Sequence, residues 1–136
     1  MTSPVLDYIV EQARQPFEWG KTDCVQFAAG MIERLTGARP DLPSYSSEID
    51  AKRVLVSLGG LEAAVSKYLG PPRRDLKLCA EGDIVLTAFG GQKALGICVP
   101  RVVFVRRQQD GSKFDPSVVP VDMETACIRW WPCRSS

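Results

Sequence analysis

Cys24 is the residue of this chain best placed to do chemistry. It stands in "WGKTDCVQFAAG", residues 19 to 30, where Asp23 followed three positions on by Gln26 has the pattern of a capping box. A thiol in the first turn of a helix feels the positive end of the peptide dipoles, which favours the thiolate. A cysteine nucleophile also needs a base within hydrogen-bond reach, ordinarily an imidazole. The composition reads His 0. Asp23, Glu81 and Asp83 are the acidic groups left for that task. Carboxylates are weak bases at neutral pH unless they are desolvated, and the same desolvation would disfavour the thiolate. Helix capping accounts for Asp23, and backbone hydrogen bonding at the start of a strand accounts for Asp83. Without a base, Cys24 reads as a small apolar residue on a core stripe.

The other cysteines do not build a second chemistry. There are five in all, at 24, 79, 98, 127 and 133. The number is odd, the spacing is scattered, and the N-terminal "MTSPVLDYIVEQAR" lacks the basic and apolar regions of a signal peptide, so free thiols are expected. With no Cys-x2-Cys pair and no histidine, the expected metal content is none, and no cofactor is expected either. A formal net charge of +1 from 17 basic and 16 acidic residues gives no field to draw nucleic acid or an anionic membrane. Apolar runs of strand length exclude a transmembrane helix, so no membrane insertion is expected.

The elements that must position Cys24 can be read from the hydrophobic period. A length of 136 residues with 45% hydrophobic content predicts one domain, 1–136. Its helical half spans 3–70 and its β half 80–131. Ser3-Pro4 opens a first helix with Leu6, Ile9, Val10 and Ala13 on one stripe, ending before Pro16. Asp23 opens the second, with Cys24, Phe27, Ala28, Met31, Ile32 and Leu35 on one face and Gly37 as its close. A third helix runs from Ser46 or Ser47 to Gly59-Gly60, and a fourth covers Leu61 to Leu69. Strands follow at 83–89, 94–99 and 102–107, with turns at Gly90-Gly91 and Asp110-Gly111. Two more, in "SVVPVD" and "ACIRWW", are pushed toward sheet edges by Pro116, Pro120 and Pro132. The fold class is therefore α+β, helices packed against an antiparallel meander or partly closed barrel of about five to six short strands.

Four further side chains have two readings. Trp19 either walls a cleft beside Cys24, together with Asp23, or covers the core where the loop meets the second helix. Trp130 and Trp131 are neighbours on a strand and point to opposite faces. Either one of them is a partner-facing anchor, or a chain end or loop covers it. Arg106-Arg107, like Arg73-Arg74, reads as a solvated edge pair more readily than as phosphate contacts, and Arg106 stands with the tryptophans as an interface candidate.

"WGKTDCVQFAAGMI" and "AEGDIVLTAF" resemble, in order, the Asp-Cys helix start and the Gly-Asp strand of NlpC/P60 cysteine peptidases, a papain-like superfamily. The next strand of that family begins with its catalytic base in His-Val-Gly-Ile; the matching stretch here is Ala94-Leu95-Gly96-Ile97. The resemblance thus implies that Cys24 holds the nucleophile position as a vestige and that Ala94 replaces the base. A third polar residue of the family falls near Val105 or Arg106. Residues Phe17 to Cys24, Thr36-Gly37, Gly59-Gly60, Gly82-Asp83 and Trp130 resemble more closely the small NlpC/P60-like proteins of phage tail modules, over about residues 4 to 131. What this implies is a structural or assembly component of the tail tip or distal tail of a siphophage-like particle, with other tail proteins as partners. The expected location is host cytoplasm during assembly and then the virion tail. The enzymatic alternative is a cysteine peptidase or amidase acting on peptidoglycan stem peptides through a base other than histidine.

Overall fold

A computed structural model of the chain describes residues 3–89, 92–100, 102–107 and 117–133. The turns expected at Gly90-Gly91 and Asp110-Gly111, and Pro116, lie outside the described residues. Four helices come first: α1 (Pro4–Ala13), α2 (Cys24–Thr36), α3 (Glu48–Ser57) and α4 (Leu61–Leu69). The strands are β1 (Ile84–Phe89), β2 (Gln92–Val99), β3 (Val102–Arg106), β4 (Val118–Asp122) and β5 (Cys127–Trp131), with a one-turn helix α5 (Met123–Ala126) between the last two. All strand pairs are antiparallel. The sheet is open, not a barrel, and its order is β4-β3-β2-β1-β5. β1 to β4 make the expected meander, but β5 crosses to the far side of β1. Both proline-bearing segments are edge strands, as the missing N–H of proline requires.

The helix ends follow the capping residues. Ser3 accepts the N–H groups of Val5 and Leu6, Asp23 those of Val25 and Gln26, and Ser47 that of Asp50. Gly37 closes α2 at φ +83°. The stripe of α1 is rotated from the expected one: Val5, Tyr8 and Ile9 are buried, whereas Leu6 and Val10 are exposed. Tyr8 decides the rotation. Its ring stacks on Phe27 at 5.7 Å, and its hydroxyl donates to the Phe27 carbonyl at 2.7 Å. Gly30 makes room, because a Cβ there would stand 2.2 Å from the Tyr8 hydroxyl.

Alternation along the strands sends apolar residues to both faces of the sheet. Ile84, Leu86, Leu95, Ile97 and Trp131 face α1 and α2 in one cluster. Val85, Cys98, Val103, Val105 and Trp130 form another on the far face with Met123 of α5. A strap over residues 71–79 covers that far face. Arg73 pairs with Trp130 through both backbone groups at 2.8 and 3.0 Å, and the Trp130 indole donates to the Asp75 carbonyl at 3.0 Å. The Trp131 indole donates to Ser66 of α4 at 3.1 Å.

Three interface expectations are corrected here. Trp130 and Trp131 do point to opposite faces, but both are 0% exposed, since the strap and α5 cover one and the helices cover the other. Arg106 is 2% exposed. Its guanidinium donates to the carbonyls of Gln12, Gln15 and Pro16 at 2.5, 2.6 and 2.9 Å, serving the C-terminal end of α1. Arg106→Met removes the donors to those carbonyls and is expected to cost on the order of 3 kcal/mol. Urea unfolding checks this, and Arg106→Lys, which lacks the planar fork, is expected to recover only part of the loss.

Candidate functional site

The approach to Cys24 is a loop folded on its own polar groups. Thr22 accepts the Glu18 N–H and donates to the Pro16 carbonyl, both at 2.7 Å. Gly20 adopts φ +83°, and a Cβ there would lie 1.9 Å from the Tyr45 carbonyl oxygen, so glycine alone fits. Asp23 is 1% exposed and satisfied by four donors. Its Oδ1 accepts from Val25 N and Gln26 N at 3.0 Å and from the Tyr45 hydroxyl at 2.9 Å, and its Oδ2 accepts from Gly20 N at 2.7 Å. The capping box is not reciprocal, because the Gln26 side chain turns instead to Tyr45 and to Arg39.

Cys24 is the first residue of α2 and is half-buried. The Leu95 N–H of β2 and the N–H groups of Cys24 and Val25 favour the thiolate. Burial outweighs them and, with a smaller push from the negative charge of Asp23, carries the thiol up to about 11 from its usual 9.0. At neutral pH Cys24 is a protonated thiol. Burial pushes the Tyr45 hydroxyl up as well, with the Asp23 charge adding to it.

The cleft beside the thiol has a volume of about 370 Å³ and a mostly apolar lining from α2, α3 and α4. Trp19 and Asp23 line it, and Trp19 packs edge-on against Phe17 at 4.9 Å. Tyr45, Lys93 and Leu95 also line it. Nothing in the hydrophobic period singled out Tyr45, which lies in the polar loop before α3. Its one sequence signal is the aromatic among Pro43, Ser44, Ser46 and Ser47.

Ala94 does not face Cys24. It packs against the far-face cluster, in register with Thr87, while Leu95 and Lys93 take the near face. The expectation that a methyl group meets the thiol is corrected: the partner is the backbone N–H one residue on, because strand alternation turns position 94 away from α2. The remaining acids are engaged elsewhere. Glu81 accepts from Ser3 at 3.1 Å, and Asp83, 0% exposed, accepts from Ala80 N at 2.8 Å and Cys133 N at 2.9 Å. Neither lines the cleft. Val105 lies in the far-face cluster and Arg106 at the end of α1, so neither is a third member of a catalytic set. Among the described residues, no group of three or more His, Cys, Asp or Glu side chains has a geometry that could hold a metal ion.

The family model that matches the chain, over residues 2–132, is described as a domain of unknown function, DUF6950. The chain belongs to the DUF6950 family. No curated protein and no solved structure matches it. For this DUF6950 domain the local geometry is a capped helix start, a neutral thiol, and a mostly apolar cleft whose carboxylates are engaged, Asp23 by four donors and Glu48 by Lys52 at 3.4 Å.

The raised thiol has a consequence for stability. The unfolded chain releases the Cys24 proton at about its usual 9.0, before the folded chain does at about 11. The stabilisation that goes with the protonated form is complete below pH 9 and is lost as pH rises toward 11. Cys127, pushed up by burial to about 11, and Cys133, to about 12, act in the same direction. Thermal unfolding across this range is expected to show Tm falling steadily, and the fall is expected to be shallower in Cys24→Ser.

Proposed function

We propose that this chain is a structural or assembly component of the tail tip or distal tail of a siphophage-like particle, built on a catalytically degenerate NlpC/P60-like fold. The reading of the chemistry is carried by one observation. Among the described residues the Leu95 N–H of β2 favours the Cys24 thiolate, but burial outweighs it and the sulfur keeps its proton at neutral pH. Loss of a positioned base removes a contribution of roughly 10² to 10⁴ in rate, while leaving the helix caps and the core intact. A fold can therefore persist after its chemistry is gone.

The tail assignment is supported by the order of the motifs along the chain. Asp23-Cys24 opens α2, Thr36-Gly37 closes it, Gly82-Asp83 leads into β1, and Trp130 lies on β5, the order in which the resembling phage proteins carry these motifs. Exposed apolar side chains fit a protein that works against partners: Ile49 is 64% and Val56 80% exposed, about two turns apart along α3. Partners are other tail proteins, met in host cytoplasm during assembly and retained in the virion. Among the described residues no helix is long and apolar enough to cross a membrane.

Two measurements test the proposal in a prophage that encodes the chain. Mass spectrometry of purified particles or tail intermediates is expected to find it, deletion is expected to block infectivity, and Cys24→Ser is expected to leave infectivity unchanged. Particles that lack the chain and still infect normally would overturn the tail role. Purified protein incubated with peptidoglycan is expected to release no stem peptides. Release that disappears in Cys24→Ala would establish the hydrolase instead.

A further inference from the structure

Three of the five cysteines gather on the side of the sheet away from Cys24. Cys98 projects from β2 into the far-face cluster and is 0% exposed. Cys79, on the strap, and Cys127, on β5, are half-buried and pack against the same cluster. The backbone sets Cys79 over Cys98. Gly82 N donates to the Cys98 carbonyl at 2.9 Å, Cys98 N donates to the Asp83 carbonyl at 2.9 Å, and Asp83 N donates to the Ala80 carbonyl at 3.0 Å. This turn brings the end of the strap back across β2. The two thiols act on each other, Cys79 being raised and Cys98 lowered by the interaction. The charge of Asp83 raises both thiols, and Glu81 also raises Cys98. The charge of Cys127 also raises Cys79, and that of Cys98 raises Cys127.

We propose that Cys79 and Cys98 are a site of reversible oxidation, closing to a disulfide when the protein meets hydrogen peroxide. The Cys98 sulfur attacks a peroxide oxygen, the O–O bond breaks, and hydroxide leaves a sulfenic acid on Cys98. The Cys79 sulfur then attacks the Cys98 sulfur, the S–S bond forms, and a second hydroxide leaves. The two thiol protons neutralise the two hydroxides. Two thiols and one peroxide become one disulfide and two waters, and the sulfurs supply both electrons.

Cys79 gives the pair its access, since it is half-buried and its neighbour Leu78 is 59% exposed. The bridge would fasten the strap to β2. The strap carries the Arg73 pairing with Trp130 and the Asp75 carbonyl that receives the Trp130 indole. Oxidation thus secures the cover over the far face. The proposal is independent of the tail role and of the state of Cys24.

The test uses the full native chain. Peroxide is added at neutral pH, the protein is unfolded, the remaining thiols are alkylated, and the peptides are mapped by mass spectrometry. Two of the five thiols are expected to disappear, with a linked peptide joining Cys79 to Cys98 and full reversal by dithiothreitol. Cys127→Ser is expected to behave as the native chain does, and Cys79→Ser to form no intramolecular bridge. Trypsin cleavage at Arg73-Arg74 is expected to slow on oxidation. Five thiols remaining after an exposed reference thiol has been consumed, a bridge that uses Cys127, or oxygen added to Cys79 or Cys98 without a bridge would overturn the proposal. Equal cleavage rates before and after oxidation would overturn the fastening role. The mapping is read on the native chain, so a Cys98 variant that fails to fold does not affect it.

Discussion

The packing of the α2 N-terminus on β2 is the contact on which the rest of the site depends. Asp23 fixes that end of the helix from inside the protein, taking two donors from the helix, one from the loop at Gly20 and one from Tyr45. A carboxylate engaged by four donors holds three segments in register. The sulfur of Cys24 is then set against β2, where the Leu95 N–H reaches it. Helix dipole and backbone donors pull the thiol toward ionisation; burial pulls harder in the other direction. That balance decides the chemistry of the cleft.

Much of the frame was legible in the sequence because caps and prolines act locally. Ser3, Asp23, Ser47 and Gly37 mark helix ends by hydrogen bonds within a few residues, and α4 begins and ends where the spacing put it. Proline at an edge strand follows from the lost donor alone. The failures have a common cause in long-range covering. Alternation placed Trp130 and Trp131 on opposite faces, but nothing local said that the strap over 71–79 would close the second face. Arg106 looked like an edge charge because its partners, the carbonyls at the end of α1, lie some ninety residues away in sequence. The candidate site divides in the same way: Cys24, Asp23 and Trp19 come from one stretch of sequence, whereas Tyr45 arrives from a polar loop.

Ala94 shows how a motif and a pleat can disagree. Position 94 matches the base by sequence order, yet a period of two sends its side chain to the far cluster. Leu95 N–H takes the place beside the sulfur instead. The conclusion that Cys24 lacks a base stands on the occupied acids and on the absence of histidine from the chain, not on the side chain at 94. Both faces of the sheet are buried, and this also sorts the cysteines: Cys24 belongs to the cleft side, and Cys79, Cys98 and Cys127 to the strap side.

The most direct measurement is the alkylation rate of Cys24 in the folded protein as a function of pH, followed at that peptide by mass spectrometry. The account predicts slow reaction at neutral pH and a midpoint near 11. A midpoint below the ordinary thiol value of 9.0 would reveal an activated nucleophile and contradict it.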